Sequence, residues 1–351
     1  MTIRTAVVGF GTAGSVFHAP FLHRDESYSL EFVVTGDQAR GRQATNAFPG
    51  VTVLGDVAAL WERASDVDLV IVATPPATHA TIAATALDAG LHVVVDKPFA
   101  TSSAQARTLV DHARRAGRVL TVYQNRRWDG DFLTLRELVE AGELGTVYGF
   151  ESRFEWWAPD GGRGWKASAS VGDGGGMLFD LGTHLIDQAV QLFGPVDDLW
   201  ADTTTRGTDN ADDDSVVVLR HAGGTRSRLT MSGFAALPAP RFHVLGSKSA
   251  FTIRGMDPQE DALLAGAAPG DAGFGVRDRA QWPTVGTRDD QRRIEPRSGD
   301  YGEFYRRLAD AIRGEADVPV DPNDAVEVLE LVERAHRSVA RRREPGAEVR
   351  R

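Results

Sequence analysis

Residues 5–15 read Thr-Ala-Val-Val-Gly-Phe-Gly-Thr-Ala-Gly-Ser, an apolar run that ends in Gly-x-Gly-x-x-Gly and passes into residues able to open a helix. In such a strand-to-helix turn the first glycine permits the tight bend and the second lets the backbone approach a pyrophosphate. The third allows close packing of helix on strand, while the first helical amides face the anion. Gly9, Gly11, Thr12, Ala13 and Gly14 are therefore candidate ligands of a dinucleotide phosphate. A glycine triplet alone is also an ordinary turn, and only its surroundings raise it above that.

Those surroundings agree. Through residue 124 short apolar runs alternate with Ala-rich amphipathic segments, the pattern of parallel strands joined by helices. Strands are expected at 5–8, 30–34, 69–73, 92–95 and 119–123, with a weaker one at 51–54, and helices at 77–89 and 102–116. Beyond 125 the texture changes to β-rich runs without intervening helices, at 147–156, 199–205, 215–221, 225–232, 241–245 and 250–254. The expected architecture is α/β plus α+β. Residues 1–124 form a doubly wound Rossmann domain, and residues 125–351 form a largely antiparallel open sheet with helices near 132–140, 179–193, 303–313 and 323–342. Gly, Pro and Asp crowd 257–300, which reads as a long loop region.

Composition narrows the chemistry. At 351 residues the chain exceeds the usual size of one core, and its 42% hydrophobic and 25% charged content is that of a globular protein. With 39 basic against 49 acidic residues, the net charge of −10 argues against nucleic acid and anionic membrane as partners. There is no cysteine, so disulfides, thiolate metal sites and a cysteine nucleophile are excluded. The apolar run at the start is too short for a secretory signal, and no stretch is long enough to span a bilayer, so a cytoplasmic location is expected.

Cofactor type turns on the end of the second strand, where an acidic side chain would accept hydrogen bonds from the adenosine ribose. Here the strand ends at Thr35, Asp37 follows two residues later, and Arg40 and Arg42 come next. A carboxylate that would repel a 2′-phosphate is displaced and cations are close, which favours NADP over NAD. If these arginines are only a solvated helix face, NAD is equally possible.

Three groups are candidates for moving a proton. Asp96-Lys97-Pro98 ends the run at 92–95, on the sheet edge where open α/β folds place ligands, although a surface ion pair of Asp96 with Lys97 would read the same. Asp180 and His184, four apart, would share a helix face one turn apart as an acid-base pair, or as a structural histidine with its partner. No third ligand accompanies them, so no metal is expected. Thr74, Pro75 and His79 follow the strand at 69–73 and should border the nicotinamide. Asn125 and Arg127 could reach substrate hydroxyls, or merely belong to a linker. Trp165 and Tyr301 could form a sugar platform, or fill a core.

Taken together, GFGTAG at 9–14, DKP at 96–98 and GGMLFDLGTH at 175–184 resemble the Gfo/Idh/MocA oxidoreductase family over almost the whole chain. SVFHAPFL at 15–22, VYQNRRWDGDFL at 122–133, DLGTHLIDQ at 180–188 and QEDALLAG at 259–266 look like its NADP-dependent scyllo-inositol dehydrogenase branch. The resemblance implies a Rossmann domain, a C-terminal sheet used for homodimer or homotetramer contacts, and a polyol or sugar substrate. It implies catalytic roles for Lys97, Asp180 and His184, with Asp96 standing where the family usually has Glu. The expected activity is hydride transfer between a secondary alcohol and NAD(P). The rival expectations are a cofactor-binding sensor without turnover and a dihydrodiol or other sugar-derivative dehydrogenase.

Overall fold

The computed structural model describes residues 2–160, 169–207 and 210–343. These form two compact units. The first comprises Met1–Trp128, Pro258–Gly275 and Gly299–Val326, and the second Asp129–Asp257, Val276–Ser298 and Glu327–Arg351. The packing units are thus discontinuous in sequence, where the sequence reading places a single cut after residue 124.

In the first unit six strands, β1 (Ile3–Val8), β2 (Tyr28–Val34), β3 (Thr52–Leu54), β4 (Leu69–Val72), β5 (His92–Val95) and β6 (Leu120–Val122), form one parallel sheet in the order β3-β2-β1-β4-β5-β6. Strands covered on both faces read as unbroken apolar runs, as in Leu-Val-Ile-Val of β4, where every residue is buried. Chain order reverses direction between β1 and β4, so the carboxyl ends of those strands form the switch point where open α/β sheets take ligands. Local signals set the helix ends: the Ser102 hydroxyl accepts from the Gln105 amide at the start of Ser103–Ala116, and Gly117, with φ +62°, closes it.

Residues from the end of the chain complete this core. Tyr305 stacks on Phe21 with ring centroids 5.4 Å apart, its carbonyl accepts from the Tyr28 hydroxyl at 2.6 Å, and the Thr121 hydroxyl donates to the Val320 carbonyl at 2.7 Å. Nothing local in residues 299–326 announces that destination.

The second unit holds an eight-stranded sheet of β7 (Val147–Glu155), β8 (Val196–Thr204), β9 (Asp214–His221), β10 (Arg226–Ser232), β11 (Phe242–Gly246), β12 (Ala250–Ile253), β13 (Thr284–Gly286) and β14 (Gln291–Arg293). Its order is β14-β13-β12-β11-β7-β10-β9-β8, antiparallel except for the parallel pair β7 and β10. One face is covered, as the alternation of buried Ser215, Val217, Leu219 and His221 along β9 records. The stretch 257–300, expected as loop, is corrected here: it contains the helix Pro258–Leu264 and the strands β13 and β14. Each strand is only three residues long, and the exposed Gln-Arg-Arg of β14 carries no alternation. Pairing with β12, which is non-local, makes β13 a strand, and β14 then pairs with β13.

A buried ion pair ties the segment around Arg277 to the helix Gly130–Glu140. The side chains of Arg277 and Asp131 are 2% and 0% exposed, with Nη2 and Oδ2 3.4 Å apart, and the guanidinium also donates to the Arg254 and Met256 carbonyls. Removing one partner leaves a charge buried alone. Arg277→Met should cost about 3–5 kcal/mol, while adding Asp131→Leu should recover most of it. Urea unfolding of the two variants measures this, and a double variant no more stable than the single one would contradict it.

Candidate active site

At the switch point the three glycines of the turn do different jobs. Gly9 has φ +95°, and a Cβ there would stand 2.5 Å from the Ala73 carbonyl oxygen, so its lack of a side chain lets the ends of β1 and β4 close on each other. A Cβ on Gly14 would meet the Gly9 carbonyl oxygen at 2.0 Å. At Gly11 nothing lies nearer than 4.0 Å, where the first atom met is Nη1 of Arg40. Only the middle glycine borders open space, which is what backbone contact with a pyrophosphate requires. The chain then enters a π-helical turn at Ala13–His18 and an α-helix at Ala19–Arg24, and Thr12 and Ala13 sit at the end where helical amides have no partner within the helix. The residues present fit a dinucleotide.

At the adenosine end Asp37 caps the helix Gln38–Ala47, its Oδ1 accepting from the amides of Ala39 at 2.8 Å and Arg40 at 3.2 Å. The Arg40 and Ala39 amides, with the charges of Arg40 and Arg42 behind them, hold the Asp37 carboxyl below its usual range. One of its two oxygens is thereby engaged by the helix, while Arg40 Nε lies 3.8 Å from the other and Arg40 Nη1 is the first atom met near Gly11. The Thr35 hydroxyl accepts from the Asp37 amide at 3.3 Å.

Beyond β4 and β5, His79 joins two loops. Its Nε2 lies 2.7 Å from the Thr74 carbonyl and its Nδ1 2.9 Å from the Pro98 carbonyl, so one buried ring, which when neutral donates to one of the two, stands between the residues after β4 and the turn that carries Lys97. The Lys97–Pro98 peptide is cis. Thr74, Pro75, Asp96 and Lys97 are thus gathered with the glycine turn at the carboxyl edge of the first sheet, and His79 reaches that edge through the carbonyls it faces. Burial opposes charge on Asp96, yet His18, Lys97 and His79 around it outweigh the burial and hold its carboxyl below the ordinary value. His18 has Nε2 3.6 Å from Oδ1, an ion-pair distance rather than a hydrogen bond.

In the second unit Asp180 lies half-buried in a π-helical turn, Leu178–Gly182, and His184 lies buried in the helix Thr183–Phe193, its ring 6.2 Å from that of Phe154. The turn is fixed by a residue that sequence reasoning missed. Asp212 accepts from the Leu178 amide at 2.8 Å and the Ser215 hydroxyl at 2.7 Å, and its backbone carbonyl accepts from the Met177 amide at 2.8 Å. A Cβ on Gly176, which has φ +94°, would stand 2.2 Å from Oδ1 of Asp212. The glycine run was the local sign that something approaches closely. Which residue approaches was not legible.

The remaining candidates lie as follows. Arg127 is buried and pairs with Asp324 at 2.9 Å, and Asn125 is buried beside it in the same 3-10 turn. Tyr301 has no exposed surface: its ring packs against Phe17 and Phe21 and its hydroxyl accepts from Arg126 at 3.3 Å, so it is a core residue. Trp165 lies outside the described residues. Among the described residues no three His, Asp or Glu side chains gather to hold a metal, and no helix is long and apolar enough to cross a membrane.

A glycine turn open at its middle residue, at the switch point of a parallel sheet with a lysine at a neighbouring strand end, defines a nicotinamide-dinucleotide-binding oxidoreductase. Residues 3–124 match the family model described as an oxidoreductase family with NAD-binding Rossmann fold, and residues 132–252 match the GFO/IDH/MocA C-terminal domain. The chain belongs to the Gfo/Idh/MocA oxidoreductase family. It is 34% identical to the uncharacterized oxidoreductase YdgJ of Escherichia coli (strain K12), over 94% of each chain. It is 30% identical to scyllo-inositol 2-dehydrogenase (NADP(+)) IolW of Bacillus subtilis (strain 168), over 97% of this chain and 95% of that one. The solved structure of yvaA from Bacillus subtilis superposes with a TM-score of 0.90 at 30% identity, covering 98% of this chain and 97% of that one.

Two measurements follow from this geometry. Gly14→Ala should cost about 1–3 kcal/mol of stability or prevent folding. Gly11→Ala should stay within about 1 kcal/mol of the parent yet bind dinucleotide about tenfold more weakly or worse. Thermal unfolding and fluorescence titration separate the two effects, and equal damage to stability at both positions would refute the distinct roles. The second concerns pH. Burial holds His79, His92, His221 and His336 below the ordinary histidine value of 6.5. A lowered folded value means that the unfolded chain binds more protons, so this stability is whole above about 6.5 and drains as pH falls through the folded values. The urea midpoint should be lower at about pH 5 than at about pH 7.5, and an unchanged midpoint would count against it.

Proposed function

We propose that the protein catalyses the reversible oxidation of a secondary alcohol in a polyol or sugar of the inositol kind, with NADP favoured over NAD. The observation that carries this reading is the placement of Lys97 at the end of β5, with the buried ring of His79 between its turn and the residues after β4, and beside a glycine turn open only at Gly11. Relatives support it: one is named scyllo-inositol 2-dehydrogenase (NADP(+)), and D-glucoside 3-dehydrogenase of Escherichia coli (strain K12) is 31% identical over 55% of this chain. For the cofactor, Asp37 is occupied as a helix cap while Arg40 stands beside the turn, a setting that suits a 2′-phosphate better than a free ribose hydroxyl.

When bound, the nicotinamide accepts or returns the hydride. The protein's own groups handle the proton. His184 takes it from the substrate hydroxyl in oxidation and gives it back in reduction, and Asp180, one turn earlier, steadies the imidazolium that forms. The Lys97 ammonium donates to the reacting oxygen and stabilises the charge that develops on it. Asn125 and Arg127 hold further substrate hydroxyls; Tyr301, closed off from solvent, is left out of that set. The protein works in the cytoplasm as a homo-oligomer paired through the second sheet, whose edge strand β8 carries the exposed ring of Trp200.

A second reading, a dihydrodiol dehydrogenase, draws on 31% identity over 53% of this chain to 1-carboxy-3-chloro-3,4-dihydroxycyclo hexa-1,5-diene dehydrogenase of Comamonas testosteroni. A panel of inositols, aldoses, glucosides and a cyclic dihydrodiol, run with both cofactors and followed by nicotinamide absorbance, separates the readings. On the inositol arm, Lys97→Met and His184→Asn should each lower kcat by roughly 10²–10⁴ and leave dinucleotide affinity nearly unchanged. Turnover surviving in both variants, or no turnover with any substrate despite tight cofactor binding, would overturn the proposal.

A further inference from the structure

Asp180 does not sit on an ordinary helix. The turn that carries it, Leu178–Gly182, is π-helical and passes into the α-helix Thr183–Phe193, which carries His184. A π-turn closes its hydrogen bonds over one residue more than an α-turn and occurs mostly as a single turn, frequently at a functional site. The phase between Asp180 and His184 therefore depends on where that extra residue stays. A shift by one residue turns a side chain by about 100° around the helix axis, enough to part an acid from its histidine.

The residues around Asp180 are held one after another. The Leu178 amide donates to Oδ2 of Asp212 at 2.8 Å, and the Phe179 carbonyl accepts from the Thr183 hydroxyl at 3.0 Å. Gly182 closes on Leu178, where an added Cβ would stand 2.7 Å from Cδ1. Phe179, buried and next to Asp180, meets a partner from far along the chain. The ring of His336, in the helix Pro322–Arg343, lies nearly parallel to the Phe179 ring, with centroids 5.6 Å apart and 23° between the planes. That is the geometry of an offset aromatic stack. Burial lowers the His336 pKa against the pull of the Asp212 carboxylate, so at neutral pH an uncharged ring meets Phe179. Its Nε2 is buried without a hydrogen-bond partner among the described residues, which leaves the stack as the contact through which His336 acts on the turn.

We propose that His336 is a positioning residue for the reaction: stacked on Phe179, it keeps the π-helical turn in the phase that sets Asp180 against His184. The inference rests on the reading that Asp180 steadies His184 during turnover. What the position requires is a flat ring and not an ionisable one. Phe meets that requirement, Leu fills the volume without a flat face, and Ala removes both.

Measured well below each variant's unfolding midpoint, His336→Ala should lower kcat by about tenfold or more, the scale of a small displacement of reacting groups. Dinucleotide affinity should stay as it is, because the phosphate turn belongs to the first unit. His336→Phe should restore most of the loss, and His336→Leu, the variant to use should Ala fail to fold, should fall between the two. A kcat at the parent value in Ala and Leu, or one that Phe does not restore, would overturn the proposal. In the Asp180→Asn background, adding His336→Ala should cost little more, because both changes act through one group; losses that multiply would overturn it. Full turnover in Asp180→Asn alone would instead strike the role given to Asp180, and the kinetic part of the inference with it. The stack itself is read without turnover, by urea unfolding of His336→Ala, Phe179→Leu and the double variant. The double variant should lose less than the two single losses together, and losses that simply add would show that the two rings do not act on each other.

Discussion

The carboxyl ends of β1 and β4 can come together only because position 9 has no side chain: an added Cβ would sit 2.5 Å from the Ala73 carbonyl oxygen. That approach sets the mouth of the switch point. It brings the turn at 9–14 against Thr74, and the His79 ring stands between Thr74 and the turn that carries Lys97. A wider junction would separate the phosphate-binding amides from the lysine by the width of a side chain, and in-line positioning of reacting groups tolerates little such error.

Charge is handled at this edge by enclosure more than by strong hydrogen bonds. Asp96 gathers His18, His79 and Lys97 around a single carboxylate, and its depressed pKa reports their sum against the penalty of burial. The same low-dielectric surroundings that make an unpaired charge costly make each of these partners effective over several ångströms. Asp212 does comparable work in the second unit. It accepts from the Leu178 amide and Ser215 hydroxyl, and it crowds Gly176, so the turn bearing Asp180 starts from a fixed point.

Some of the molecule was plain in the sequence. The parallel sheet was legible because buried strands must be apolar on both faces, and the runs at 69–73 and 92–95 were placed within a residue of β4 and β5. The helix expected at 102–116 was legible from the helical spacing of its apolar residues. The glycine turn and Lys97 could be put forward from sequence because the reasoning is local: a tight turn needs glycine, and a strand end is where ligands bind. Asp212 was missed for the opposite reason. The turn it fixes lies 34 residues earlier in the chain, and its own sequence neighbours do not announce that contact. Tyr301 could not be decided from sequence for the same cause, since an aromatic ring suits a platform or a core equally until its neighbours Phe17 and Phe21 are known.

By itself, then, the order of residues determined the two architectures, the phosphate turn, the candidate lysine and the histidine-aspartate spacing, because backbone sterics and hydrophobic periodicity act over a few residues. Tertiary structure alone decided that residues 299–326 finish the first core, that β13 and β14 are strands at all, which glycine faces open space, and which side chains surround Asp96. Those outcomes depend on contacts between segments far apart in the chain. Such contacts form when apolar surface and unpaired polar groups find partners in three dimensions, a competition that no short window of sequence records.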